Sequence, residues 1–305
     1  MRLKIFLALS LFALLVSACA PAAPAPQPFS VTDMRGTAFD FSQPVQKIIS
    51  LAPANTEILF AIGAGKQMVG RDSLSDYPEE AKTVADIGGG FGALNTELIV
   101  AAQPDLIVAG DLTPAEQIKT LEDLGLKVFV LRNPANLTEM YENLTMMAKI
   151  TGHEQETATL VASLQAREKA VNDKLAGLTE RPQVLYELDG TDPNAPWVPG
   201  PGTFVDTIIK QAGGDSISAS LDGAWVQMSI EAIIQKDPAM IILGDFTWGG
   251  VTPEMVAQRT GWDALSAVKN NQVYTFDDNL ISRPGPRMVD GLEAMAKLLH
   301  PELFK

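Results

Sequence analysis

A chain of 305 residues, 46% apolar and 20% charged, is long enough for two domains that each bury a core, and its composition excludes a disordered or low-complexity polymer. Its 37 acidic side chains outnumber 23 basic ones, for a formal charge of −14, so nucleic acid and anionic lipid surfaces would repel the body. Solubility alone accounts for most of that charge.

Residues 1–18 place Arg2 and Lys4 ahead of twelve uncharged, mostly apolar residues, Ile5 to Val16, followed by small residues. This is the pattern of a bacterial export signal, and the run is well short of the roughly 20 residues that span a hydrocarbon core. Val16-Ser17-Ala18-Cys19 looks like a lipobox and holds the only cysteine of the chain, so the expectation is cleavage before Cys19 and attachment of lipid to it. Residues 19–28 continue as a Pro/Ala tether, semi-extended at about 3 Å per residue. Loss of Arg2 and Lys4 leaves 21 basic against 37 acidic residues, −16.

From Lys47 onward, short β-branched runs alternate with helical windows. KIISLA precedes a helix, TEILFAIG, closed by Gly63 and Gly65; then come MVGR, a helix-strand unit from Glu97 to Asp111, helix PAEQIKTLEDLG, strand KVFVL and a helix from Leu137 to Ile150. A second series runs from QVLYEL at Gln183 through FVDTIIKQAGG, a helix-strand unit at Glu231 to Asp245, QVYTF, and MVDGLEAMAKLLH before Pro301. Such alternation predicts an α/β fold, with mainly parallel sheets covered by helices on both faces. The two helix-strand units, ELIVAAQPDLIVAGD and EAIIQKDPAMIILGD, lie 134 residues apart and agree in six registers, each with a capping residue (Asn95, Ser229) two places before its Glu. The duplication predicts two similar lobes, residues 29–152 and 180–305.

Between them, Glu154 to Leu178 has no Pro, and Leu160, Leu164, Val171, Leu175 and Leu178 make one apolar stripe at helical spacing. A linking helix within 153–179, about 37 Å long at 1.5 Å per residue, would cross from lobe to lobe and permit only modest closure.

Enzyme constellations are poorly served. His153 and His300 are the only histidines, which rules out a three-imidazole metal site, and His300 sits in the last turn of the final helix, where it complements the dipole. There is no GxSxG elbow and no phosphate-binding GxxxxGK[ST] loop, and GGGFG at 88–92 reads as a cleft-edge loop. No catalytic residue, resident metal or cofactor is expected. Asp111 and Asp245 are a conceivable carboxylate pair for a surface hydrolase, but they close the duplicated units and are explained as framework.

The remaining signal is aromatic. Tyr77, Phe91, Trp197, Trp225 and Trp248 fall in loops after predicted strands, where open α/β sheets place ligands, although any one of them alone is more often core or loop packing than a ligand contact. Together they favour a large, flat or bulky guest, because aromatic faces bury area at low entropic cost. Trp262 is assigned to structure. In PGPGTFVD, Thr203 and Asp206 frame a helix start, either an ordinary capping box or backbone N–H groups turned to the cleft. Arg283, in SRPGPRMVD, is a candidate for an anionic group on the guest, the alternative being a surface ion pair, and Arg287 stands at the helix start.

In order along the chain, VTDMRGTAFDFSQPVQKIISLAPANTEILFAIGAGKQMVGR, DYPEEAK, LNTELIVAAQPDLIVAG, PGPGTF with QAGGDSI, WVQMSIEAIIQKDPAMIIL and RPGPRMVDGLE resemble the lipoprotein substrate-binding components of ABC importers for cobalamin, ferric siderophores and haem, from about Val31 to Phe304. The resemblance implies two doubly wound α/β lobes joined by one long α-helix, a ligand cleft between the lobes, a monomer without catalysis, and lipid anchoring on the outer side of the cell membrane through Cys19. It also implies that Glu97 and Glu231 meet arginine-bearing loops of the importer permease. Phe91 stands where cobalamin binders often carry a tryptophan, and Trp225 matches a cleft tryptophan of theirs. Haem binders usually coordinate iron through Tyr or His, a role that would fall here to Tyr77. A corrinoid is thus the favoured guest and a ferric siderophore the next, with a haem-binding member or a docking protein without transport as alternatives.

Overall fold

The computed structural model describes residues 27–305. The signal segment, Cys19 and most of the tether therefore lie outside the described residues. The chain enters through an antiparallel hairpin of β1 (Phe29–Thr32) and β2 (Ala38–Phe41), its end clasped by the Phe29 and Phe41 rings 5.3 Å apart.

Four parallel strands follow: β3 (Ile48–Ser50), β4 (Met68–Arg71), β5 (Leu106–Gly110) and β6 (Val128–Leu131), in spatial order β4-β3-β5-β6. They are connected through α1 (Pro53–Ala61), α2 (Thr96–Ala102) and α3 (Ala115–Asp123), and α4 (Leu137–Thr151) comes after them. Every residue of β5 and β6 is buried because alternate side chains enter different cores. Leu106, Val108 and Phe129 pack with Ile58 of α1 and Leu144 of α4, whereas Ile107, Ala109 and Val130 pack with Ile99 of α2 and Leu121 of α3. The sheet is doubly wound.

The linking helix α5 (Glu154–Leu175) buries Thr157, Leu164 and Val171, with Leu160 and Leu175 half-buried beside them. It stops three residues before Leu178, where the apolar stripe would have ended it, since Gly177 follows and glycine is a poor helix former.

The second lobe comprises β7 (Gln183–Glu187), β8 (Trp197–Pro199), α6 (Phe204–Gln211), β9 (Asp215–Ser216), β10 (Trp225–Gln227), α7 (Ile230–Lys236) and β11 (Met240–Leu243). Short helices α8 (Phe246–Gly249), α9 (Pro253–Ala257) and α10 (Ser266–Lys269) lead to β12 (Val273–Thr275) and α11 (Met288–Leu299). Its parallel sheet runs β12-β11-β7-β9, while β8 and β10 form a separate antiparallel hairpin. Read from β4 in one sheet and from β9 in the other, both follow the order second, first, third, fourth strand of the sheet in chain order.

The duplicated segment supplies the third strand of each sheet, β5 and β11, with its preceding helix. Its likeness extends to both helix ends. Asn95 and Ser229 accept hydrogen bonds from the Leu98 and Ala232 N–H groups at 3.1 and 3.3 Å. Gln103 and Asp237 close the helices in left-handed conformation, at φ 49° and 44°, each just before a proline. The segments diverge at their last residue: Asp111 is exposed and Asp245 fully buried.

Candidate ligand-binding cleft

A cavity of about 340 Å³ opens between the lobes, at the C-terminal ends of all four strands of the first sheet. Leu51 to Ala54 follow β3, Asp72 and Leu74 follow β4, Asp111 to Pro114 follow β5, and Asn133 follows β6; Phe204, Trp225 and Ser282 to Pro284 face them from the second lobe. This is where an open α/β sheet leaves room, since its connections diverge there. A larger hollow of about 750 Å³ lies between α4 and α5, away from the strand ends and outside the cleft.

Phe91 and Trp225, both anticipated from sequence, come together here. Gly88, Gly89 and Gly90 occupy successive left-handed conformations, at φ 78°, 87° and 66°, and lift Phe91 clear of the surface so that its side chain is 100% exposed. Trp225 is 38% exposed, with its ring tilted against Phe204 at 5.4 Å. The β8–β10 hairpin fixes that position: Gly200 donates its N–H to the Ala224 carbonyl at 2.7 Å, and a Cβ on Gly200 would lie 1.9 Å from the Gly223 oxygen. Leu112, 80% exposed after β5, and Leu74 add apolar surface. Sequence reasoning passed over both, although Leu112 directly follows the duplicated unit.

The other aromatic candidates are placed elsewhere. Trp197 opposes Gln227 in the hairpin, and Trp248 sits on α8; neither lines the cavity. Tyr77 covers the Arg287 guanidinium at 4.0 Å and lines a smaller pocket with Glu57, Phe60 and Leu164. Trp262 is fully buried and donates its indole N–H to the Pro193 carbonyl, as its structural assignment requires. Thr203 accepts from the Asp206 N–H at 3.2 Å, the capping arrangement of the two alternatives. His300 is buried at the end of α11, and its Nε2 contacts the Gly213 carbonyl oxygen.

Arg283 lines the cleft, but its guanidinium is engaged within the protein. Nη1 pairs with Asp76 and lies 3.7 Å from Glu57. Glu57, on α1, is buried and receives Arg287 through two hydrogen bonds, from Nε to Oε2 at 2.7 Å and from Nη2 to Oε1 at 2.5 Å. Burial pushes the Glu57 carboxyl above the ordinary range, while Arg287 and then Arg283 pull it back. Asp72 is likewise pushed up by burial and is held by the Ser75 hydroxyl and the Leu74 N–H. Glu57 and Arg287 were not recognisable as partners in the sequence.

In the second lobe, Asp245 accepts from the Gly190 N–H at 2.9 Å, and its Oδ1 finds no hydrogen-bond partner among the described residues. Burial, together with the neighbouring Glu187 charge, drives its pKa up to about 7. Glu187 itself is buried and held by both terminal nitrogens of Arg259, at 2.6 and 2.8 Å. Asp111 and Asp245, in different lobes, do not share a cavity. Among the described residues no three His, Cys, Asp or Glu side chains are grouped to hold a metal ion, and no helix is long and apolar enough to cross a membrane. Glu97 and Glu231 are exposed at the second position of α2 and α7.

Two doubly wound lobes, one long connecting helix and a cleft at the strand ends define a two-lobed α/β binding protein. The periplasmic binding protein family model matches residues 48–280, and the chain belongs to that family. An ABC transporter substrate-binding lipoprotein of Bacillus subtilis, YvrC, is 31% identical over 283 residues, covering 91% of this chain and 87% of its own. A cobalamin-binding protein of Halobacterium salinarum is 28% identical, over 97% of this chain and 84% of its own. The structure of the periplasmic vitamin B12-binding protein BtuF of Vibrio cholerae superposes with a TM-score of 0.73 at 25% identity, over 86% of this chain and 99% of that one.

Proposed function

We propose that this protein is the extracytoplasmic binding component of an ABC importer, taking a large metal chelate into the cleft and passing it to the permease. The observation that carries this reading is the pairing of a fully exposed Phe91 on one lobe with Trp225 on the other, on the walls of one cavity whose rim also exposes Leu74 and Leu112. A rigid guest with broad apolar faces buries such surface at little entropic cost. The cobalamin- and B12-binding relatives support a corrinoid as the favoured guest, with a ferric siderophore next. Tyr77, capped by Arg287 outside the cleft, gives a haem iron no evident ligand.

In this reading Glu97 and Glu231, matched at the tips of two equivalent helices, address the permease. Cys19 carries the lipid that holds the body near it, and residues 29–152, 153–179 and 180–305 act as lobe, link and lobe. The decisive experiment isolates the protein from its native cells or a metabolite-rich extract and records an absorption spectrum and mass spectrum of what is bound. A corrinoid or ferric chelate is expected. Recovery of no chelate, together with no binding in titrations with cyanocobalamin and ferric siderophores, would overturn the proposal.

A further inference from the structure

The charges around the cleft do not balance, and their sign bears on which chelates can enter. Among the described residues Arg283 is the only cationic side chain that lines the cavity, and two acids, Asp72 and Asp111, line it too. Arg283 is also spoken for: Asp76 pairs with it directly, and Glu57 lies 3.7 Å away while binding Arg287. Two guanidinium groups facing two carboxylates make a neutral cluster.

Asp72 has no cation of its own, since the nearby Arg71 and Arg283 already pair with Asp86 and Asp76, and Asp111 forms no ion pair among the described residues. The N-terminal ends of α1 and α3 also reach the cavity without side-chain caps, and each adds about half a positive charge. Together those ends offset one acid, leaving a negative balance in a body that is itself strongly acidic. Their free N–H groups suit neutral acceptors on a guest, such as amide carbonyls.

We infer that the cleft selects neutral or cationic chelates over anionic ones, and that Asp76 sets this preference by occupying Arg283. The inference rests on the chelate-binding reading above. Asp76 is the accessible member of the cluster, with its side chain 56% exposed, whereas Glu57 is buried and shared by both arginines. Removing the Asp76 charge leaves two cations against one buried anion, one positive charge at the cleft wall.

The experiment titrates the protein with cyanocobalamin, a cationic ferric trihydroxamate, an anionic ferric tris-catecholate and haemin, following tryptophan fluorescence. In the wild type, both anionic chelates should bind at least about tenfold more weakly than the better of the other two, and added salt should narrow that gap by screening. Asp76→Asn should tighten the anionic chelates by about tenfold and change the others by less than about threefold. Asp111→Asn, which leaves the ion cluster untouched, should shift the same ratio in the same direction. Tightest binding of an anionic chelate by the wild type, or an unchanged ratio in both variants, would overturn the inference and leave the chelate-binding reading standing. Binding of none of the four would overturn both.

Discussion

Arg287 clasps Glu57 with two hydrogen bonds of 2.7 and 2.5 Å, joining the start of α11 in one lobe to α1 in the other beneath the ring of Tyr77. The pair is buried, so its two halves depend on each other far more than a surface pair would. Arg287→Met should destabilise the protein by about 3 kcal/mol in urea unfolding near neutral pH, because Glu57 would keep only the more distant Arg283. At lower pH the loss should be smaller, since burial already pushes the Glu57 carboxyl up and removal of its main partner favours the protonated form further. An equal loss at both pH values would rule out an uncompensated carboxylate as the cause.

Asp245 provides a second pH signature. Its folded pKa of about 7 lies above the ordinary carboxylate value of 3.8, so the folded state binds the extra proton between those values. The stability tied to that proton is fully present at low pH and is lost as pH rises toward 7. Asp245→Asn keeps the shape and can still accept from Gly190. Relative to wild type it should gain on the order of 2 kcal/mol between about pH 5 and pH 8. Parallel pH profiles of melting temperature for the two proteins would refute this.

Gly200→Ala tests how Trp225 is held. The added methyl meets the Gly223 carbonyl oxygen, a backbone atom that cannot rotate away, and the strand must separate from the turn. A cost of about 2–3 kcal/mol is expected, together with weaker ligand binding, because the hairpin carries Trp225. By contrast, Trp225→Ala should weaken binding by about 10- to 100-fold while leaving the unfolding midpoint nearly unchanged, since its ring is partly exposed. Unchanged affinity in Trp225→Ala would remove the leading contact of the cleft.

Glu97→Arg and Glu231→Arg reverse two exposed charges that form no ion pair among the described residues. Ligand affinity should stay within about twofold, because neither residue lines the cavity, whereas uptake in cells should fall by about tenfold or more with both changes present. Normal uptake by the double variant would dismiss these residues as the permease contact.

The parts of this molecule legible from sequence are those written in local pattern. The repeated unit around Pro104 and Pro238, the helix caps at Asn95 and Ser229 and the alternation of strands and helices each depend on neighbours a few residues apart, and the structure returns them with both sheets in the same strand order. The glycine run before Phe91 was legible for the same reason, as a loop edge. Trp197, Trp225 and Trp248 looked equivalent in sequence because all follow predicted strands, but only Trp225 is turned into the cavity, its ring tilted against Phe204. The Glu57–Arg287 pair spans 230 residues, and nothing local to either side chain announces the other. Arg283 was recognisable as a cleft residue, yet its occupation by Asp76, 207 residues away, was not.

One contiguous apolar core includes Ile58 and Leu144 of the first lobe, Leu164 and Val171 of α5, and Ile208 and Leu292 of the second. A protein built in this way grips its cargo between walls whose spacing is set before the cargo arrives. Swinging the lobes apart would expose parts of that core, which disfavours a wide spontaneous opening. Capture by such a chain would be a matter of fit, and the docking proposed for Glu97 and Glu231 would give an importer a hold on both lobes at once.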